Sequence, residues 1–112
     1  MNIENLKSQM RKGMLEFCVL LILRQRAAYA SEMIAALKDA HLIVVEGTLY
    51  PLLTRLKNDG LLAYEWQEST SGPPRKYYSL TPLGEQFLQQ LSASWKEISD
   101  SINHLNNPSL IK

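Results

Sequence analysis

The chain has 112 residues, of which 46% are hydrophobic and 21% charged. That is an ordinary globular composition, and it excludes a disordered or fibrous chain. The length, below the usual ~150 residues per domain, predicts one compact domain, and chains this short often gain stability by oligomerising. The lone Cys18 excludes a disulfide framework within the chain. With only His41 and His104 beside it, little remains for a zinc site, so neither metal nor cofactor is expected. A net charge of +1 neither demands nor excludes nucleic acid; a basic patch has to be argued from where the charges sit.

The N-terminal segment has two readings. Lys7, Arg11 and Lys12 precede an apolar run over residues 17–23, and Ala28-Tyr29-Ala30 has the small-residue outline of a secretion cleavage site. Glu4 and Glu16 count against a signal, as do Arg24 and Arg26 between run and site. The run is too short to span a membrane. A soluble, cytoplasmic protein is expected. Residues 6–26 then read as a helix: Met10, Met14, Phe17, Leu21 and Arg24 recur at spacings of four and three. Val19, Leu20, Ile22 and Leu23 make its second half apolar all round, the mark of a buried helix.

A shorter helix fits residues 30–40, with Ser31 as N-cap or first-turn residue and Met33, Ile34 and Leu37 on one face. Residues 42–45 are β-branched at three of four positions, which suits an extended connection or a very short strand. A third helix follows. Leu49, Leu52, Leu53 and Leu56 form one stripe at i, i+3, i+4 and i+7. Pro51 places its start at about Gly47 or Thr48, since proline belongs in a first turn. Asn58-Asp59-Gly60 stops it.

Residues 62–68 alternate apolar and polar, as a half-buried strand does. Ser-Gly-Pro-Pro within 69–74 signals a loop, and 76–80 read as a second strand. The expectation is a hairpin with a six- or seven-residue tip, where Gly72, Pro73 and Pro74 make a rigid hinge for Arg75 and Lys76. Thr81 and Pro82 open a last helix as cap and first residue. Its apolar positions are Leu83, Phe87, Leu91, Trp95, Ile98, Ile102 and Leu105, close to a heptad seam. One domain does not need so long a stripe, which makes it the natural dimer surface. Asn106, Asn107 and Pro108 end it.

Helix, helix, helix, hairpin, helix predicts a mainly α, α+β chain: a winged helix-turn-helix with a long C-terminal dimerisation helix. The expected division is a winged-helix DNA-binding unit over 1–81, a dimerisation helix over 82–107 and a frayed tail over 108–112. With the leucines inward, Gly47, Pro51, Thr54 and Asn58 face outward, flanked by Thr48, Tyr50 and Arg55. The residues are small, hydroxylated, amide or basic, and no acid lies among them. Such a surface suits phosphates and base edges. Arg75 and Lys76 are expected to meet phosphate, or Arg75 the minor groove. Lys7 and Arg11 share a face of the first helix and are candidates for the flanking backbone.

The run GTLYPLLTRLKNDGLL, a tryptophan strand and GPPRKYYSLTPLG follow one another in order and spacing. Nearly the whole chain resembles the short subclass of the PadR family of bacterial transcriptional regulators. The resemblance implies a homodimeric regulator, usually a repressor, on a palindromic DNA operator. It places Thr48, Tyr50, Thr54 and Arg55 on the DNA-facing helix and Arg75 and Lys76 on the wing. Two departures stand out. Ala28-Tyr29-Ala30 replaces a His-Gly-Tyr pattern without its glycine, and Pro74 lengthens or stiffens the wing. Multidrug-sensing members look similar around Ser94 and Trp95. There, a tryptophan from each subunit stacks on a flat aromatic drug in a dimer-interface pore. Met10, Gly13, Phe17, Leu91 and Ser99 are the expected lining beside Trp95. The bland reading of Trp95 is packed interface.

No cluster of acid, base and nucleophile is present, and Cys18 lies in an apolar run, so an enzyme is not expected. The rival to a DNA-binding regulator is a winged-helix protein–protein module without operator binding. The near-neutral charge keeps that reading open.

Overall fold

The first helix, α1, spans Ile3–Gln25. It starts three residues earlier than the apolar pattern suggests because Asn2 caps it, its Oδ1 accepting from the Glu4 N–H at 2.8 Å. The computed structural model describes residues 1–110. The second helix, α2, spans Ala30–Asp39. Tyr29 is its N-cap residue and Ser31 lies in the first turn; the Glu32 carboxylate reaches back to accept from the Tyr29 N–H at 2.9 Å. Residues 42–45 are an extended connection.

The third helix, α3, spans Glu46–Asn58. Pro51 therefore sits in its second turn, not its first. Its missing N–H leaves the Gly47 carbonyl without its i+4 donor in the helix, and both residues are exposed, where that carbonyl is open to solvent. α2 and α3 end alike. Leu42 N–H donates to the Leu37 carbonyl at 2.8 Å and His41 N–H to Lys38 at 2.9 Å; Leu61 N–H donates to Leu56 at 3.0 Å and Gly60 N–H to Lys57 at 3.0 Å. Each is a Schellman turn, which needs a left-handed residue. Gly60 supplies one at φ 82°, His41 the other at φ 64°.

The hairpin pairs β1 (Leu62–Ser69) with β2 (Gly72–Leu80) antiparallel. This corrects the expected tip. β2 begins at Gly72, so only Thr70 and Ser71 form the turn. Gly72 has no positive φ and pairs with Ser69 as the first residue of β2. Pro73 and Pro74 fall where the register shifts between Gln67 and Ser69, a place where a strand tolerates missing N–H donors. On the other edge of β2, Ala28 and Tyr78 exchange two backbone bonds, at 3.0 and 2.9 Å. Ala28 and Ala30 are both buried, so small side chains at the departed motif are a packing requirement.

The last helix, α4, spans Pro82–Leu105, capped by Thr81 as expected. A 3-10 turn over Pro108–Leu110 follows it. The remainder of the tail, 111–112, lies outside the described residues. The core gathers Leu20 and Leu23 of α1, Met33 of α2, the four α3 leucines, Leu62, Tyr78 and Leu88. Beyond Ser92, α4 leaves that core. Trp95, Ile98, Ile102 and Leu105 stay exposed, and the molecule reaches 63 Å along its longest axis. Among the described residues no helix is long and apolar enough to cross a membrane, and no group of three metal-ligating side chains gathers.

Candidate nucleic-acid interface

Burial of Leu49, Leu52, Leu53 and Leu56 fixes the rotation of α3. Gly47, Pro51, Thr54 and Asn58 then form an exposed outer ridge with two different flanks. Tyr50 and Lys57 occupy the flank toward the hairpin, where Lys57 Nζ lies 5.7 Å from the centre of the Tyr64 ring. Thr48 and Arg55 occupy the flank toward α1. Arg55 is not free there, because its guanidinium donates to the Glu16 carboxylate. The pair is more than 40% exposed on both sides, so it is screened and separable rather than a structural anchor.

Strand alternation separates the two wing cations. Lys76 pairs opposite Trp66 and shares its face with Tyr64, while Arg75 pairs opposite Gln67 on the other face. Lys76 Nζ lies 4.6 Å from the Tyr64 ring centre and 5.4 Å from that of Trp66. Arg75 lies 5.4 Å from the Tyr29 ring centre. The Tyr29 hydroxyl donates to Gln67 Oε1 at 2.7 Å, and its ring packs 5.1 Å from Tyr77. Both cations therefore sit on the hairpin shaft, stacked on aromatic rings. Only Lys76 faces the α3 side, with Lys57.

The α1 cations divide likewise. Arg11 borders a cleft shared with Thr48, Pro51 and Arg55, so the fold brings it to α3. Lys7 is engaged with Glu4 at 3.7 Å, one turn away on an exposed surface. Lys57, Trp66 and Tyr29 are not among the interface residues expected from the sequence. Lys57 was legible: the wheel that exposes Asn58 also places Lys57 beside Tyr50. Tyr29 was not, because its contact with the hairpin spans 38 residues of sequence.

The residues expected around Trp95 are partly assembled within one chain. Phe17 and Trp95 meet at 6.5 Å between ring centres, tilted by 48°. Leu91 is half-buried against the core. Met10 lies on the Phe17 side of α1 and is 68% exposed, and Gly13 has open space around it. Ser99 is half-buried. Among the described residues nothing closes over Trp95 and Met10, which are 44% and 68% exposed.

Three solved structures are similar over most of the chain. A PadR-like transcription factor from Bacteroides fragilis is 68% identical, with a TM-score of 0.77, covering 90% of this chain and 98% of that one. A PadR family transcriptional regulator from Eggerthella lenta is 34% identical, with a TM-score of 0.81, covering 95% and 93%. A PadR-like transcriptional regulator from Bacillus cereus is 38% identical, with a TM-score of 0.79, covering 89% and 98%. The family model of the PadR-like transcriptional regulators matches residues 19–90, from the second half of α1 into α4. With that match and the winged-helix order of its elements, the chain belongs to the PadR-like family of transcriptional regulators.

Proposed function

We propose that this regulator acts as a cytoplasmic homodimer that binds a palindromic DNA operator and represses transcription. The observation that carries the reading is the α3 ridge. Gly47, Pro51, Thr54 and Asn58 form a surface without a carboxylate, and Lys57 and Lys76 stand together on one flank. The ridge is small enough to let the backbone of α3 into a major groove. Tyr50, Thr54 and Asn58 then meet base edges. Lys57, Lys76 and Arg11 meet phosphates and set affinity and its salt dependence. Arg55 joins them by exchanging Glu16 for phosphate, and Thr48 and Pro51 approach the backbone on the α1 side. Arg75 holds the wing through Tyr29, and Lys7 serves the flanking backbone only after leaving Glu4.

Dimerisation supplies the second half-site. The exposed Trp95, Ile98, Ile102 and Leu105 stripe is core-like surface left uncovered among the described residues. Pairing it with a second copy sets two α3 helices at the ~34 Å repeat of successive major grooves. A flat aromatic ligand seated against Trp95 and Phe17, with Leu91 and Met10 beside it, releases the operator by favouring a different spacing of the two α3 helices. It does so only as far as it binds the two arrangements with different affinity.

The test is titration of the protein with its own upstream promoter DNA at two salt concentrations, with stoichiometry recorded. One dimer per site with steep salt dependence is the expected result. Binding no tighter than to random DNA overturns operator recognition and favours a protein–protein module.

A further inference from the structure

α1 shows two different sides outside the core. Ile3, Leu6 and Met10 lie exposed along one, in line with the buried Phe17 that meets Trp95. Ser8, Arg11, Leu15 and Cys18, spaced by three and four, lie roughly 130° around the helix. This second side, the 42–45 connection and α3 enclose a half-open cleft of about 460 Å³. That volume is within the ~300–1,000 Å³ of small-molecule sites. The cleft lies on a different side of α1 from the one that meets Trp95.

Its chemistry is two-sided. Met14, Leu15, Ile43, Val44 and Leu52 make the walls apolar. The rim carries Arg11, Lys12 and Arg55 against one carboxylate, Glu16, which Arg55 already engages. Among the described residues Arg11 and Lys12 form no ion pair. Ile43 is 77% exposed beside them. A large aliphatic side chain left open next to two unpaired cations matches a ligand with an anionic head and an apolar tail.

We infer that this cleft binds an amphipathic carboxylate, its head on Arg11 and Lys12 and its tail along Leu15, Ile43 and Val44. Thr48, Pro51 and Arg55 form the α3 wall of the same cleft. An occupant therefore places negative charge and bulk on the DNA-facing flank of α3 and competes directly with operator DNA. The competition rests on the DNA-binding reading above; occupancy of the cleft does not.

Two readouts keep those apart. Cys18 lines the cleft and is the only cysteine, so its alkylation by iodoacetamide reports occupancy without DNA. Decanoate is the probe, and decylammonium, of equal tail and opposite charge, is the control. Submillimolar decanoate is expected to slow alkylation at least fivefold and saturably, with decylammonium changing it less than twofold. Ile43→Asn, an exposed position, is expected to keep the fold and DNA affinity while losing most of the protection. Decanoate is also expected to weaken DNA binding at the concentrations that protect Cys18. Absent protection, equal protection by decylammonium, or full protection in Ile43→Asn overturns the site. Protection with undiminished DNA binding overturns the competition alone. If the protein binds no operator, alkylation still decides the site.

Discussion

Arg75 and Lys76, adjacent in sequence, stand on opposite faces of the hairpin, Arg75 over Tyr29 and Lys76 over Tyr64 and Trp66. The two cations are therefore not interchangeable. Lys76→Ala is expected to weaken DNA binding and lower the salt slope by about one, as loss of one phosphate contact does. Arg75→Ala is expected to leave that slope unchanged and to loosen the wing from Tyr29. DNA titrations of both variants at several salt concentrations decide it. Equal slopes for the two would remove the facing argument.

The junction between α3 and α4 is a knot of small contacts. The Thr81 hydroxyl donates to the Gly60 carbonyl at 2.7 Å and accepts from the Gly84 N–H at 3.0 Å. A Cβ on Gly84 overlaps the Leu61 carbonyl oxygen and falls 2.7 Å from Leu80 Cδ1. Gly84→Ala is expected to destabilise by about 2 kcal/mol or more, since the obstruction is backbone. Thr81→Ala is expected to cost about 1–2 kcal/mol through the lost cap. Urea midpoints measure both, and a neutral Gly84→Ala refutes the close approach.

His41 closes α2 in the left-handed region without being glycine. His41→Gly removes the strain of a side chain there, set against the larger entropy of an unfolded glycine. A net gain of about 0.5–1 kcal/mol is expected, read as a higher thermal midpoint. A lower midpoint would mean that the imidazole itself stabilises the turn.

Ile98 lies mid-stripe on the free half of α4 and is 54% exposed. Ile98→Glu is expected to raise the dimer dissociation constant more than tenfold, because it buries an unpaired carboxylate in an apolar interface. Helix content should hold at high protein concentration. Sedimentation equilibrium reads the change; an unaltered dimer moves the interface elsewhere.

Burial pushes the Cys18 thiol up, and burial with Tyr64 and Tyr50 nearby pushes the Tyr78 phenol up. Each is neutral when protonated, and each ionises first in the unfolded chain as pH rises. Stability is therefore full at neutral pH, falls as the pH passes the ordinary thiol range, and falls again through the tyrosine range. Urea midpoints from about pH 7 to 10 should decline, and Cys18→Ala should flatten the first part of the decline. A midpoint that rises over this interval contradicts the direction of both shifts.

The elements, their order and the α3 ridge were legible because each rests on local chemistry. A leucine stripe, an N-cap threonine before proline and a helix-stopping glycine act within a few residues. Their burial face follows from period alone, and the same stripe on α4 announced an uncovered surface. The wing was misread for the opposite reason. Gly72-Pro73-Pro74 looks like a loop locally, yet β1 supplies pairing partners that extend β2 through it to a two-residue turn. That longer register moves Arg75 and Lys76 from the tip to opposite faces of the shaft. Arg55 held by Glu16, Tyr29 under Arg75 and the cleft along Arg11 and Cys18 join residues from elements far apart in the chain. Sequence spacing carries no record of such contacts; packing the helices and hairpin on one core creates them.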